Sequence, residues 1–197
     1  MSKERKNTNS RKQKKLLKKI VNIELGMFQK IRTIEPSLCQ DLPETFEIMR
    51  EMNHSALSLE SLKSYLNDLK LALSKKRNLL TEKYARMNNT IPPLNKNPII
   101  KKIVLIEADW MGQLSQKYPT SIKYRAKHFT NYLSCELETY SDDTLGLYYN
   151  DILCAKRENR NLAEERFTYL FSKLGYKSIQ EAEDRILNIQ KNKNKMN

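Results

Sequence analysis

The sequence predicts an all-α protein, a single-domain bundle of about eight helices with a disordered basic N-terminal tail. Turn-forming residues are scarce, with 4 glycines and 6 prolines among 197 residues, whereas strand-rich folds need many turns. Apolar residues recur at steps of three and four, and no segment alternates as a half-buried strand does. We therefore expect a basic tail at 1–12, a helical domain at 13–190 and a basic C-terminal tail at 191–197.

The first helix is predicted over about 12–33, behind a polar segment at 1–10 that we expect to be disordered. Its apolar face consists of Leu16, Ile20, Ile23, Met27 and Ile31. Pro36 predicts the end of this helix. The second helix is expected to begin at Asp41, a good capping residue, or at Pro43, which the first turn tolerates, and to run to about His54.

The third and longest helix is predicted over about 59–88, with Ser58 as its cap. Its apolar stripe contains Leu62, Tyr65, Leu66, Leu69, Leu73, Leu80, Tyr84 and Met87, and Leu71 and Leu79 widen it. Thirty helical residues would span about 45 Å. Because this is long for a small domain, a break near 74–78 is expected.

Capping residues and prolines delimit the remaining helices. One begins at Pro98 and is stopped by Pro119, and another covers about 127–140. The next starts at Ser141 or Asp142 and runs to about 158. Asn161 with Glu164 predicts the following start, Gly175 its end, and Ser178 with Glu181 the start of the last helix.

The net charge of +13 is concentrated at the two ends of the chain. Residues 1–19 carry +8 and the last seven residues +3, so residues 20–190 are nearly neutral. Basic tails attract polyanions weakly and without sequence preference, whereas a nucleic-acid enzyme more often carries its charge on the folded body. A solubilising tail is the simpler interpretation.

Cysteine and hydropathy patterns indicate a cytoplasmic protein. Cys39, Cys135 and Cys154 are widely spaced and odd in number, which suits a reducing compartment. Glu24 interrupts the apolar run behind the basic N-terminus, so no signal peptide is expected. No apolar stretch approaches the length of a membrane span.

Three groups of polar residues lie within apolar helical stretches, where they are costly unless paired. In the first, Glu82 and Arg86 lie four apart and can pair, with Arg77 or Asn78 one turn earlier. In the second, Glu107 and Trp110 lie one turn apart. A bound cation or ring is one interpretation of this pair, and an ordinary core tryptophan is the other.

The third group places Tyr132, Glu136 and Tyr140 on one helical face, with Arg125 or His128 a turn before them. Glu136 would form an ion pair with an arginine of another helix or handle an anion. Glu138 points elsewhere, so one helix alone cannot supply paired carboxylates for acid–base chemistry.

Common catalytic signatures are absent from the sequence, including the nucleophile elbow, the zinc HExxH pattern and the glycine-rich phosphate loops. With two histidines, a histidine-rich metal site is excluded, and no metal or cofactor is assigned. Arg50 with His54 is similar to the Arg–His pair of all-helical RNases, although the spacing is one residue short.

A series of short stretches carries a family resemblance. They are Cys39-Gln40, Thr45–Arg50, Ser64–Leu69, Arg77–Leu80, Glu82–Met87, Lys117-Tyr118-Pro119 and Tyr132–Ser141. Through them the chain, over roughly 20–185, resembles a bacterial family catalogued as domain of unknown function 4125. It departs from that family at Lys76, where the family has glycine, and at 51–54, where the family has Gln or Trp after the Met-Arg pair. Some relatives accompany helical-repeat or nucleotidyltransferase-like domains, which implies an accessory or small-molecule role.

The first functional hypothesis is a polar pocket that binds an anionic or zwitterionic small molecule. Arginines would hold phosphate or carboxylate, and glutamates would orient an amine or act as a base. The candidate ligand-binding residues are Arg50, Arg77, Asn78, Lys83, Tyr84, Arg86, Glu107, Trp110, Arg125, Glu136 and Tyr140.

The alternatives are a protein-interaction module that serves a partner enzyme and, less favoured, a nucleic-acid-associated protein or RNase. No activated nucleophile is visible, so the sequence does not decide whether the protein is an enzyme.

Overall fold

The computed structural model describes residues 3–31 and 42–195, with side chains for 11–31 and 42–192. Within these ranges the chain forms nine α-helices and no strand. They are α1 (Lys3–Phe28), α2 (Pro43–Ser55), α3 (Leu59–Ser74), α4 (Leu79–Met87), α5 (Ile99–Lys117), α6 (Ala126–Leu137), α7 (Asp142–Arg157), α8 (Leu162–Lys173) and α9 (Ile179–Lys195). The all-α prediction is confirmed.

Most helices begin at the caps that the sequence indicates. Ser58 Oγ accepts a hydrogen bond from the Ser61 amide at 3.1 Å, and Asn161 Oδ1 accepts one from the Glu164 amide at 3.0 Å. These side chains satisfy backbone N–H groups that have no partner inside the helix. At the other end of α8, Gly175 has a φ of +86°, a conformation that suits glycine.

The predicted break in the long helix is present and raises the number of helices in the described chain to nine. Lys76 has a φ of +55°, and the Arg77 amide donates to the Ala72 carbonyl at 2.8 Å. Asn78 then starts α4 by accepting from the amides of Leu80 and Thr81. Its side-chain amide donates to the Met27 carbonyl at 2.7 Å, which fixes α4 against α1.

The apolar stripe of α3 differs from the prediction at its C-terminal end. Leu71 and Leu73 are 54% and 45% exposed, whereas Ala72 is buried. The break after Ser74 is the reason. The buried stripe steps from Leu69 to Ala72, and α4 then continues the core in a new direction with Leu79 and Leu80.

The helices pack as two neighbouring groups. In one group α1 packs on α2, α3 and α4, and in the other α5 packs on α6, α7 and α8. The pairs α4–α6, α3–α7 and α2–α8 join the groups, and α9 packs on α8. One apolar core runs through both, with fully buried Ile20, Leu62, Ile103 and Leu145 among its members. Polar residues that interrupt this core therefore meet between helices that are distant in sequence.

Some predictions fall on residues outside the described ranges. Pro36 as a helix end, Cys39 and Asp41 as a cap belong to this group, and the domain boundaries at 12 and 190 stay predictions. Of the described cysteines, Cys135 is buried, Cys154 is exposed, and both are free. No helix in the described part of the chain is long and apolar enough to cross a membrane.

Candidate functional site

Four charged side chains from four helices meet in the core. Glu24 of α1, Arg50 of α2, Lys83 of α4 and Glu136 of α6 are each at most 6% exposed. Arg50 Nε donates to Glu24 Oε2 at 2.9 Å, and Arg50 Nη2 donates to Glu136 Oε1 at 2.6 Å. Lys83 Nζ donates to Glu136 Oε2 at 3.1 Å. We call this group the Arg50 cluster, and its two carboxylates balance its two cations.

Aromatic and imidazole groups complete the hydrogen bonding of the Arg50 cluster. Tyr65 donates its hydroxyl proton to Glu24 at 2.7 Å. His54 Nε2 lies 3.1 Å from Glu24 Oε1, and because a carboxylate only accepts, the imidazole donates there. The Tyr132 hydroxyl accepts from Lys83 Nζ at 3.0 Å, and Lys83 also lies 4.3 Å from the centroid of the Tyr132 ring. The charged groups of the cluster are therefore bonded to one another and to the side chains of His54, Tyr65 and Tyr132.

Charge pairing in the Arg50 cluster outweighs the effect of burial on pKa values. Burial alone would raise the pKa of Glu24, but Arg50 and His54 lower it to about 2. Burial alone would also raise the pKa of Glu136, yet Arg50 and Lys83 hold this pKa far below the usual range. Burial would lower the pKa of Lys83, and the neighbouring Glu136 raises it instead. All four groups are consequently charged at neutral pH.

A second buried ion pair joins α5 and α8. Arg166 donates from Nη1 and Nη2 to the two carboxylate oxygens of Glu107, at 2.7 and 2.6 Å. The Tyr148 hydroxyl of α7 donates to Glu107 at 2.8 Å and accepts from Arg166 Nη2 at 2.8 Å. Burial opposes the charge on Arg166, but Glu107 raises its pKa further above the usual range. We call these three residues the Arg166 cluster.

A cavity of about 70 Å³ is lined by members of both clusters. Its polar walls are His54, Tyr132, Glu136, Tyr140, Tyr148 and Arg166, and its apolar walls include Leu57, Phe129 and Leu133. A volume of this size holds a small polar group or a few water molecules. The two clusters therefore face a common space rather than isolated parts of the core.

Three hydrogen-bond donors of the cavity walls have no acceptor within the described chain. Arg166 Nε is buried without a partner. Tyr132 accepts from Lys83 and Arg50, so its own hydroxyl proton has no acceptor among the described residues. Tyr140 is buried, and its hydroxyl makes no hydrogen bond within the same residues. The walls thus present donors for which the described chain supplies no acceptor.

The structure brings together about half of the residues that the sequence indicated. Arg50, Lys83 and Glu136 are in direct contact, and Tyr140 lines the cavity beside them. Tyr84 lies next to this group, with its ring centroid 4.8 Å from Lys83 Nζ. Glu107 reaches the cavity through its pairing with Arg166. Glu136 forms an ion pair with Arg50 of another helix, which is one of the two alternatives considered from the sequence.

The other candidates lie away from the cavity. Arg77 pairs with Glu82, with 45% of its own side chain exposed, and Arg86 pairs with Glu138, so the expected contact between Glu82 and Arg86 is not formed. The reason is geometric, since the break at 75–78 lets Arg77 fold back on Glu82 while Arg86 reaches α6.

The last three candidates have other surroundings. Asn78 is the cap of α4, and Trp110 belongs to the apolar core. Arg125 lies on a surface groove beside Tyr124 and His128.

Sequence reasoning missed Glu24, Tyr148 and Arg166 as members of the site. The sequence contained an indication for two of them, because Glu24 and Arg166 are charged residues at positions that continue the apolar face of a helix. Glu24 stands four residues after Ile20, and Arg166 stands four after Leu162, on the buried face of each helix. Such a residue has to find a partner inside the fold. Tyr148 gave no comparable signal, since tyrosine is common in cores.

Neither cluster has the form of a common catalytic site. The carboxylates are all paired with cations, and no group of three or more histidine, cysteine or acidic side chains suited to a metal ion is found among the described residues. What the arrangement offers is a set of hydrogen-bond donors, from paired cations and from tyrosine hydroxyls, around a small space.

The fold and the buried clusters define an all-helical protein with a charged core and a small polar cavity. The family described as "Protein of unknown function (DUF4125)" matches residues 14–184, and the chain belongs to that family. A search of curated proteins found no match, and a search of solved structures found none either.

Proposed function

We propose that the protein binds a small molecule through an oxyanion group, a carboxylate or a phosphate, in the cavity between the Arg50 and Arg166 clusters. The observation that carries this proposal is Arg166 Nε, which is buried without a partner in the described chain, beside the hydroxyls of Tyr132 and Tyr140, whose protons have no acceptor there. A buried donor without an acceptor costs about 1–3 kcal/mol. An oxyanion accepts several hydrogen bonds at once and removes this cost.

The size of the cavity limits what it can hold. Sites that enclose a whole drug-sized ligand have volumes of about 300–1,000 Å³, whereas this cavity has about 70 Å³. The cavity therefore accommodates the charged head group of a ligand, such as the carboxylate of an amino acid. The remainder of the ligand would extend toward Asn53, which lines the same cavity.

Burial argues against the RNase alternative. Arg50 and His54 are 2% and 1% exposed, and Arg50 is fully engaged with Glu24 and Glu136. A polynucleotide chain cannot reach these side chains without unpacking α2. The pairing of Arg50 and His54 is therefore better explained by the charged core. The free cysteines Cys135 and Cys154 suit the reducing cytoplasm in which we place this function.

The first experiment is thermal unfolding of the full chain with a panel of amino acids, small carboxylic acids, sugar phosphates and inorganic phosphate. A ligand at 100 times its Kd stabilises a protein by about 2.7 kcal/mol, which raises the Tm of a chain of this size by about 5–10 °C. A flat panel would overturn the proposal and favour the protein-interaction module.

A pair of tyrosine variants tests whether the cavity is the site. Tyr140→Phe removes a hydroxyl without a protein partner, so stability should change little while affinity for the stabilising compound falls about tenfold. Tyr149→Phe is the matched control, because its hydroxyl is also unpaired within the described chain and it does not line the cavity. Equal effects of both variants would contradict the proposed site.

A further inference from the structure

A surface groove of about 410 Å³ lies next to the cavity and combines cationic with aromatic side chains. Lys123, Arg125 and His128 line it together with the rings of Tyr124, Phe129 and Tyr132. Phe129 and Tyr132 also line the inner cavity, so the groove and the cavity are neighbours that share these two side chains. We call this surface the basic groove. Its lining contains no carboxylate.

No carboxylate of the described residues pairs with the cations of the basic groove. Six arginines pair with a carboxylate in the described chain, namely Arg50, Arg77, Arg86, Arg160, Arg166 and Arg185. Arg125 has no such partner among the described residues, and Lys123 donates only to the Pro119 carbonyl, at 2.7 Å. A neighbouring groove of about 740 Å³ shares Arg125 and His128 and adds Lys127. Lys123, Arg125 and Lys127 are therefore close together on the surface, although residues 20–190 as a whole are nearly neutral.

The aromatic residues add a second kind of contact. Tyr124 and Phe129 are half-buried, and their ring centroids lie 5.6 Å apart in an edge-on arrangement. Both rings pack against the core and line the groove, so the part of each ring that stays exposed is available to a ligand. Aromatic side chains beside cations bind nucleotides, because the cations hold the phosphate while the base stacks on a ring.

We propose that the basic groove is a binding site for a nucleoside monophosphate, distinct from the oxyanion site of the inner cavity. Arg125 and Lys123 hold the phosphate, with Arg125 able to contact two phosphate oxygens at once. Tyr124 and Phe129 contact the base. The volume of about 410 Å³ lies in the range of small-molecule sites, which favours one nucleotide over a longer strand.

The test is calorimetric titration of the full chain with adenosine monophosphate, uridine monophosphate and ribose 5-phosphate. Because a stacked base adds to the affinity of the phosphate contact, the nucleotides should bind about tenfold more tightly than ribose 5-phosphate. Tyr124→Ala should reduce this preference. Equal binding of ribose 5-phosphate and the nucleotides would overturn the assignment.

Charge reversal locates the phosphate. Arg125→Glu should weaken nucleotide binding at least about tenfold. Arg157→Glu is the matched control, since Arg157 is exposed, has no carboxylate partner in the described chain and lies on α7 outside the groove. Equal weakening by both variants would show a general charge effect and contradict a site. A single-stranded RNA of about eight nucleotides that binds more tightly than the monophosphates, and is sensitive to Arg125→Glu, would replace the mononucleotide as the occupant.

The two proposals fail separately. Tyr140→Phe tests the inner cavity and should leave adenosine monophosphate binding unchanged. If Tyr140→Phe weakens that binding and Arg125→Glu does not, the nucleotide occupies the inner cavity, and the groove proposal is overturned. If both sites are real, each variant weakens its own ligand only.

Discussion

Replacing Arg50 by methionine should destabilise the fold far more than the same change at a surface arginine. Arg50 is 2% exposed and contacts both carboxylates of its cluster with two nitrogen–oxygen pairs each. Without it, Glu24 and Glu136 stay buried with Lys83 as the remaining cation of the cluster. Leaving a buried charge without its partner costs about 3–5 kcal/mol. Arg77→Met removes an ion pair with 45% side-chain exposure and should cost at most about 1 kcal/mol.

Urea unfolding followed by far-ultraviolet circular dichroism measures both variants under one set of conditions. A shift in the midpoint at an unchanged slope reports stability alone. The deficit of Arg50→Met should shrink as the pH falls toward 4, because the unpartnered carboxylates then take up protons. Equal destabilisation by the two variants, or a deficit that does not depend on pH, would mean that packing rather than charge determines the role of Arg50. If the variant does not fold, Arg50→Lys is the substitute. Lysine keeps the positive charge but cannot form the paired hydrogen bonds of the guanidinium group, so we expect a smaller, pH-dependent loss of stability.

Acid should unfold the protein through the buried carboxylates. The pKa of Glu24 is about 2 in the folded protein against a usual 4.5. Its contribution of about 3 kcal/mol to the free energy of unfolding is therefore complete above pH 4.5 and is lost as the pH falls toward 2. In Glu24→Gln, the free energy of unfolding from urea titrations should depend less on pH over that window. Lys76→Gly should raise stability by about 1 kcal/mol, because a lysine at a φ of +55° is strained and glycine is not; a calorimetric Tm below that of the parent chain would contradict this. Tyr148→Phe should cost about 1.5–3 kcal/mol in urea unfolding, because its hydroxyl bridges two buried charges, whereas Tyr140→Phe should cost less than about 0.5 kcal/mol.

Helix positions could be predicted because their signals are local. Ser58, Asn161 and Gly175 each act on backbone groups within a few residues, and the structure confirms all three. The break between α3 and α4 was also predictable from length. The resemblance noted from the sequence implies glycine at the position of Lys76. A left-handed conformation at that residue explains why glycine suits it.

The charged residues of the site were harder to predict, because a sequence shows which residues need partners but not which partners they find. Arg50, Lys83 and Glu136 were among the candidate site residues because of their charge, yet the sequence could not decide between pairing and solvation. Arg77 and Arg86 carried the same signal and proved to be paired near the surface. Whether such a residue is paired in the core or near the surface depends on which faces of the helices pack against each other.

The sequence by itself determined that the chain is all-helical, where most helices begin and end, and that its cationic excess lies at the termini. These properties follow from residue spacing, capping and composition, which act over one or two turns of a helix. Tertiary structure alone decided that Glu24, Arg50, Lys83 and Glu136 form one cluster. They belong to four different helices, and the first and last of them are 112 residues apart in the sequence. It also placed Arg166 at a small cavity next to them and left Arg125 on the surface, without a carboxylate partner among the described residues. Burial forces the four charges to pair, and only the packing of α1, α2, α4 and α6 determines which of them meet.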